Sequence, residues 1–154
     1  MPPRDPSASF PEPLVYFIDR CLGTSDVPGE LRAGLVQGET IQIHDDLFDQ
    51  DAIDQSWLTL VGRNRWVGFT KDDAIRRRPA EIGALLAANS AVFIFGSGGV
   101  TGQIIGAAFR TALPRIRRAV KRFPPAIIGR VNTAGEASVL WHSGSELPKA
   151  IPIR

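Results

Sequence analysis

The sequence predicts an α/β fold, with a mostly parallel central sheet, helices on both faces and a C-terminal β-hairpin. Three observations carry that prediction. Apolar runs of strand length alternate four times with segments of helical periodicity. The chain has 154 residues, enough for one domain with its own core and no more. It is 44% hydrophobic and 22% charged, a balance that excludes a disordered chain and a disulfide scaffold.

Taken in order, Met1 to Pro13 is rich in proline and poor in apolar residues. It reads as a flexible N-terminal tail, leaving residues 14–154 as a single domain. Leu14 to Ile18 (LVYFI) is a buried strand that ends at Asp19. Asp26, Val27 and Pro28 open a short helix that runs to about Val36, with Pro28 in its first turn. Thr40 to Ile43 is the second strand, ending at His44, Asp45 and Asp46. Asp51 reads as a helix N-cap with Asp54 at capping-box spacing, and Ile53, Trp57, Leu58, Leu60 and Val61 turn towards a core.

Trp66 to Thr70 is the third strand, followed by Lys71, Asp72 and Asp73. Pro79 opens a helix with Ile82, Leu85 and Leu86 on one face, fading near Asn89. Ala91 to Phe95 is the fourth strand. The glycine-rich turn Gly96 to Gly99 follows, and Thr101 then caps a long helix. Its apolar stripe runs through Ile104, Ile105, Ala108, Phe109, Leu113, Ile116, Val120 and Phe123. Pro114 is expected to kink or split that helix. Ala126 to Val131 and Ala137 to Trp141 form a hairpin through Asn132 to Gly135.

No apolar run approaches the roughly 18 residues of a membrane span. Met1 to Pro13 lacks the apolar core of a signal peptide, and Cys21, as the single cysteine, has no internal partner. A cytoplasmic protein is expected. Charge is divided unevenly along the chain. Residues 1–61 hold three basic and eleven acidic side chains, a net −8; residues 62–154 hold fifteen and five, a net +10. The halves either neutralise each other in the fold or set an acidic site beside a basic surface for an anionic polymer.

Three of the first four strands end in aspartate: Asp19, Asp45 or Asp46, and Asp72. Sites in such sheets lie beyond the carboxyl ends of the strands. Each aspartate taken singly also fits a helix cap or strand terminator. Converging carboxylates are different, because two of them about 4 Å apart repel by roughly 4 kcal/mol at an effective dielectric near 20. A hard cation relieves that repulsion, and oxygen ligands suit Mg²⁺ or Mn²⁺ rather than zinc. Such an ion activates water and neutralises a phosphodiester, so the pattern points to metal-assisted phosphoryl hydrolysis. Arg76, Arg77 and Arg78 follow Asp72 and Asp73 within one short loop, in reach of the same sheet end, where they can hold a phosphate.

The ordered segments Phe17-Ile18-Asp19-Arg20-Cys21-Leu22-Gly23, Val27-Pro28-Gly29-Glu30-Leu31-Arg32, His44-Asp45-Asp46-Leu47-Phe48, Asp54-Gln55-Ser56-Trp57-Leu58 and Trp66-Val67-Gly68-Phe69-Thr70-Lys71-Asp72 resemble the PIN-like domains. Arg76-Arg77-Arg78-Pro79-Ala80-Glu81 continues the match, which covers about residues 14–95 and is closest to the branch of VapC-type toxins. The resemblance implies a three-layer α/β/α endoribonuclease that cleaves RNA with Mg²⁺ or Mn²⁺ in an acidic cluster, and an antitoxin protein as partner. A homodimer is compatible with it. By motif, Asp19, Asp54 and Asp72 match catalytic acids and metal ligands. Asp46 matches a less uniform ligand position, and Thr70 the hydroxyl of the Thr-x-Asp strand. Many PIN nucleases carry glutamate where this chain has Asp54. The fourth acid stays open among Asp45, Asp73 and Glu81.

Two rivals stand beside this reading. One is a PIN-like module that binds RNA or a partner without cleaving. The other is a phosphoacceptor receiver domain, disfavoured because Asp19 is followed by Arg20 rather than an acid, and Phe95 by Gly96 rather than lysine. The run from Gly96 to Gly102 lacks the spacing of a dinucleotide fingerprint and the ending of a P-loop. His44 reads as a structural or supporting residue, His142 as a surface one, and Cys21 has no partners for a nucleophile.

Overall fold

A computed structural model of the chain describes residues 10–23, 26–96 and 98–154. The strands are β1 (Val15–Ile18), β2 (Thr40–Ile43), β3 (Val67–Thr70), β4 (Ala91–Phe95), β5 (Ile127–Val131), β6 (Ala137–His142) and β7 (Ser145–Ile153). They form one sheet in the order β2-β1-β3-β4-β5-β6-β7. β1 to β5 are parallel, and β6 and β7 join antiparallel. The α/β fold with its mostly parallel sheet is as the sequence predicts.

Burial on both faces explains why β1, β3 and β4 are largely continuous apolar runs. Tyr16 and Ile18 of β1, with Phe69 and Phe93, face one layer, built with α2 (Val27–Arg32) and α6 (Gly102–Arg122). Phe17, Val92 and Ile94 face the other, built with α4 (Asp54–Asn64) and α5 (Pro79–Ala87). α6 lays Ile105, Phe109, Leu113 and Ile116 on its layer, and Thr101 caps it by accepting the Ile104 N–H at 3.3 Å.

Several expectations are corrected. Pro114 does not split α6, which runs unbroken from Gly102 to Arg122. The proline lies on the exposed face, where water can take the carbonyl it leaves unpaired. Asp51 is not the cap of α4; Ile53 precedes the helix and Asp54 is its first residue. α2 ends at Arg32 rather than near Val36. The C-terminal hairpin is part of a longer unit, because β5 pairs in parallel with β4 and a further strand, β7, pairs with β6. Two helices of four residues, α1 (Arg20–Gly23) and α3 (His44–Leu47), are too short for periodicity to reveal.

Phe10, in the segment expected to be a loose tail, is buried at 6% exposure in the α2–α6 layer. Residues 1–9 of that segment, and Ser97 of the glycine-rich turn, lie outside the described residues. Among the described residues no helix is long and apolar enough to cross a membrane.

Candidate functional site

The strand order reverses direction between β1 and β3, and in open parallel sheets a crevice forms outside the carboxyl ends at such a point. Ile18 pairs with Phe69, so Asp19 and Thr70 leave their strands side by side. The Asp19 N–H donates to the Phe69 carbonyl at 3.0 Å, holding the first residue after β1 against β3.

Asp19 is 5% exposed. Its Oδ2 accepts the Thr70 hydroxyl at 2.7 Å and the Cys21 thiol at 3.3 Å, and its Oδ1 accepts the Arg20 N–H at 2.7 Å. Burial pushes its carboxyl above the ordinary value. Hydrogen bonds from Thr70 and Cys21 oppose that rise, and the charge of Asp54 adds to it. Thr70 Oγ1 also accepts the Asp72 N–H at 3.1 Å, so one buried hydroxyl joins the two acids. Asp72 in turn caps a short 3₁₀ turn (Asp73–Arg76), its Oδ1 accepting the Ala74 N–H at 3.1 Å.

Asp72 and two further acids gather on one cation. Arg78 Nη1 lies 3.0 Å from Asp72 Oδ2, 3.5 Å from Glu81 Oε1 and 3.7 Å from Asp54 Oδ2. Each acid comes from a different element: the turn after β3, the first turn of α5, and the start of α4. The other Asp54 oxygen accepts the Trp57 indole N–H at 3.0 Å, which fixes that carboxylate from below. Asp72, above all, pushes Arg78 up and keeps it charged.

Of the open candidates for a fourth acid, Glu81 is the one brought to this cluster. Asp45 sits on His44 Nδ1 at 3.0 Å, and that ring is buried against Phe17 and Phe48. Asp73 turns to Arg76, Arg77 and Arg130, and the hydrogen bond from Arg76 leads in holding it down at about 2. Asp46 is exposed on α3, in an open concavity shared with Asp45, Asp49 and Asp51, and does not pair with Arg78. Among the three arginines, Arg76 and Arg77 are engaged by Asp73, and only Arg78 faces the acids.

Two neighbours were not legible in the sequence. Cys21 lies between Asp19 and Thr70, and burial with the Asp19 charge pushes its thiol up to about 11, which keeps it protonated as a donor. A lone cysteine two residues after a strand-end acid carries no signal for that contact. Arg130 reaches Asp73 at 3.2 Å across 57 residues of sequence, and no local pattern marks such a pair.

The donors fit a hard divalent ion: they are carboxylate oxygens with one buried threonine hydroxyl. The carboxylates of Asp54, Asp72 and Glu81 already surround a positive charge. Among the described residues, however, no group of three or more His, Cys, Asp or Glu stands ready to hold a metal with its side chains as they are. The Arg78 guanidinium fills the place between them.

A family model described as PIN like domain matches residues 14–97. A curated protein of Mycobacterium tuberculosis (strain ATCC 25618 / H37Rv), named "Putative ribonuclease VapC45", is 30% identical over 125 residues, which is 80% of this chain and 90% of that protein. No solved structure matches the chain significantly.

Proposed function

Because this chain belongs to the PIN-like domain family, we propose that it is a metal-dependent endoribonuclease of the cytoplasm, the toxin of a toxin–antitoxin pair. Its substrate is RNA, its cofactor Mg²⁺ or Mn²⁺, and its protein partner an antitoxin. The observation that carries this reading is the arrangement of Asp54, Asp72 and Glu81 around one positive charge, one hydroxyl away from buried Asp19. Such an ion, when bound, supplies a water of lowered pKa and neutralises charge on the phosphodiester.

Asp19, Asp54 and Asp72 would hold the ion, with Glu81 as the fourth acid and Asp46, matched by motif, as a further ligand. Thr70 orients Asp19 by donating to it and holds the Asp72 backbone in turn. Cys21, as a thiol donor, keeps the Asp19 carboxylate from rotating. Arg77, two-thirds exposed, is the arginine of the loop best placed to meet a phosphate, and Arg76 and Arg78 reach one by exchanging their carboxylate partners.

The test is cleavage of single-stranded RNA by the purified protein with Mg²⁺ or Mn²⁺, and with chelator. Asp19→Asn and Asp72→Asn are expected to abolish cleavage while the protein stays folded. Undiminished cleavage in either variant overturns the assignment. The absence of a preformed metal cluster among the described residues favours one alternative, a PIN-like module that binds RNA or a partner without cutting it. Metal-independent RNA binding with no cleavage would select that alternative.

A further inference from the structure

We propose that the Arg78 guanidinium is a built-in competitor for the divalent ion, neutralising the acids while no ion is bound and leaving them as one enters. The inference rests on the reading above, in which those acids hold the ion.

The geometry of the contact separates it from an ordinary surface ion pair. A guanidinium satisfied by one carboxylate presents two parallel N–H groups to its two oxygens. Here a single nitrogen, Nη1, faces three carboxylates from three elements at 3.0, 3.5 and 3.7 Å. One point of positive charge ringed by oxygens is what a hard ion requires, not what a guanidinium fork prefers. The cation is also short of charge. It offers one positive charge to three carboxylates, with Asp19 close enough to feel Asp54. A divalent ion in the same place relieves more repulsion.

The loop holds the backbone and leaves the side chain free to leave. The Arg78 N–H donates to the Ala74 carbonyl at 3.1 Å, and Pro79 opens α5 immediately after. The side chain is 47% exposed, so its exit to solvent is open and its pairs are screened and individually weak. Arg76 and Arg77 do not share this role, because Asp73 engages both of them.

Calorimetric titration of Mn²⁺ into the metal-free full-length protein tests the proposal. Arg78→Gln and Arg78→Met are expected to bind Mn²⁺ about tenfold more tightly than wild type, the scale of a few screened ion pairs. Arg77→Gln removes the same charge one residue away and controls for the long-range field; it is expected to stay within about twofold of wild type. Without metal, the Arg78 variants are expected to melt below wild type, and saturating Mn²⁺ is expected to raise their midpoint further than it raises that of wild type. Equal or weaker Mn²⁺ affinity in both Arg78 variants overturns the proposal while leaving the metal site standing. An equal gain in Arg77→Gln also overturns it, by reducing the effect to general electrostatics. If neither wild type nor the variants bind Mn²⁺, the metal reading itself fails and the competition falls with it.

Discussion

Asp19 is held by three donors and still sits above the ordinary carboxylate range, because burial outweighs them and Asp54 is near. The sign of the consequence follows from linkage. A carboxyl whose folded value is raised resists ionisation in the native state. Stability is therefore lost as pH climbs from the unfolded value, about 3.9, through the folded one. Asp19→Asn removes that cost. The metal-free variant is expected to be more stable than wild type at neutral pH, with the gap closing as both approach the acid side of pH 4. Urea melts at a series of pH values check this, and a variant less stable than wild type throughout would contradict it. Asp19 and Asp72 were legible because each ends an apolar strand, where the alternation of chain and sheet dictates the position of a site. Arg78 was legible only as a cation near acids. That it turns inward to three of them, while Arg76 and Arg77 turn to Asp73, depends on where α4 and α5 pack, which no local pattern records.

The spacing of Asp54 and Glu81 is set by the packing of α4 on α5. Gly62 lets these helices approach: a Cβ there would lie 2.3 Å from the Ala88 carbonyl oxygen and 2.6 Å from Ser90 Oγ. Ala88 contributes backbone and Ser90 is itself bonded to the Leu58 carbonyl, so neither can give way cheaply. Gly62→Ala is expected to cost about 2 kcal/mol, taking overpacking near the upper end of its usual range of about 1–3 and subtracting about 1 for the better helix former. Chemical denaturation measures it, and a stabilised variant would show that α5 can shift outward freely. At this scale the strands buried on both faces were readable as apolar runs, whereas β7 was not. It is an edge strand carrying Pro148 and Pro152, and its exposed outer side asks for no apolar pattern. The break that Pro114 suggests is absent for the complementary reason: its penalty depends on which face of α6 it occupies, and that face is exposed.

Across the whole molecule, the division between an acidic first part and a basic remainder is partly spent inside the fold. Arg78 meets Asp54, Arg110 meets Glu30, Arg117 meets Glu39 and Lys121 meets Glu12, each a base from the later part on an acid from the earlier. The Arg117–Glu39 pair is the deepest. Burial pushes the Glu39 carboxyl up, but hydrogen bonds from Arg117, the Val36 N–H and Tyr16 outweigh it and leave Glu39 below its ordinary range. Arg118 donates to the Arg154 carbonyl at 2.6 Å, and Arg122 lies 4.9 Å over the Phe123 ring. The basic end of α6 is thus largely engaged by the protein itself.

Position separates the two basic groups further. α6 starts beside the carboxyl end of β4 and returns to the end where β5 begins. Fifteen residues separate Gly102 from Arg117, which is about 22 Å of helix, so the α6 cations lie at the opposite end of the sheet from Asp19 and Asp72. The loop arginines lie at the same end as the acids. On the proposed reading, neutralising Arg76, Arg77 and Arg78 together weakens RNA binding at low salt. It also makes the slope of log affinity against log salt shallower, by roughly 0.7 for each phosphate of a single strand that is no longer neutralised. Sequence preference is expected to change little, because groups that hold phosphate position a strand without reading its bases. Neutralising Arg117, Arg118, Lys121 and Arg122 removes more charge but is expected to change the slope less, since those groups are distant and occupied. Binding is best followed in chelator with Asp19→Asn, expected to be catalytically silent, as the common background, so that neither cleavage nor displacement of Arg78 by metal contributes. A steeper loss from the α6 variant than from the loop variant would move the RNA path to the far end of the sheet and away from the acids.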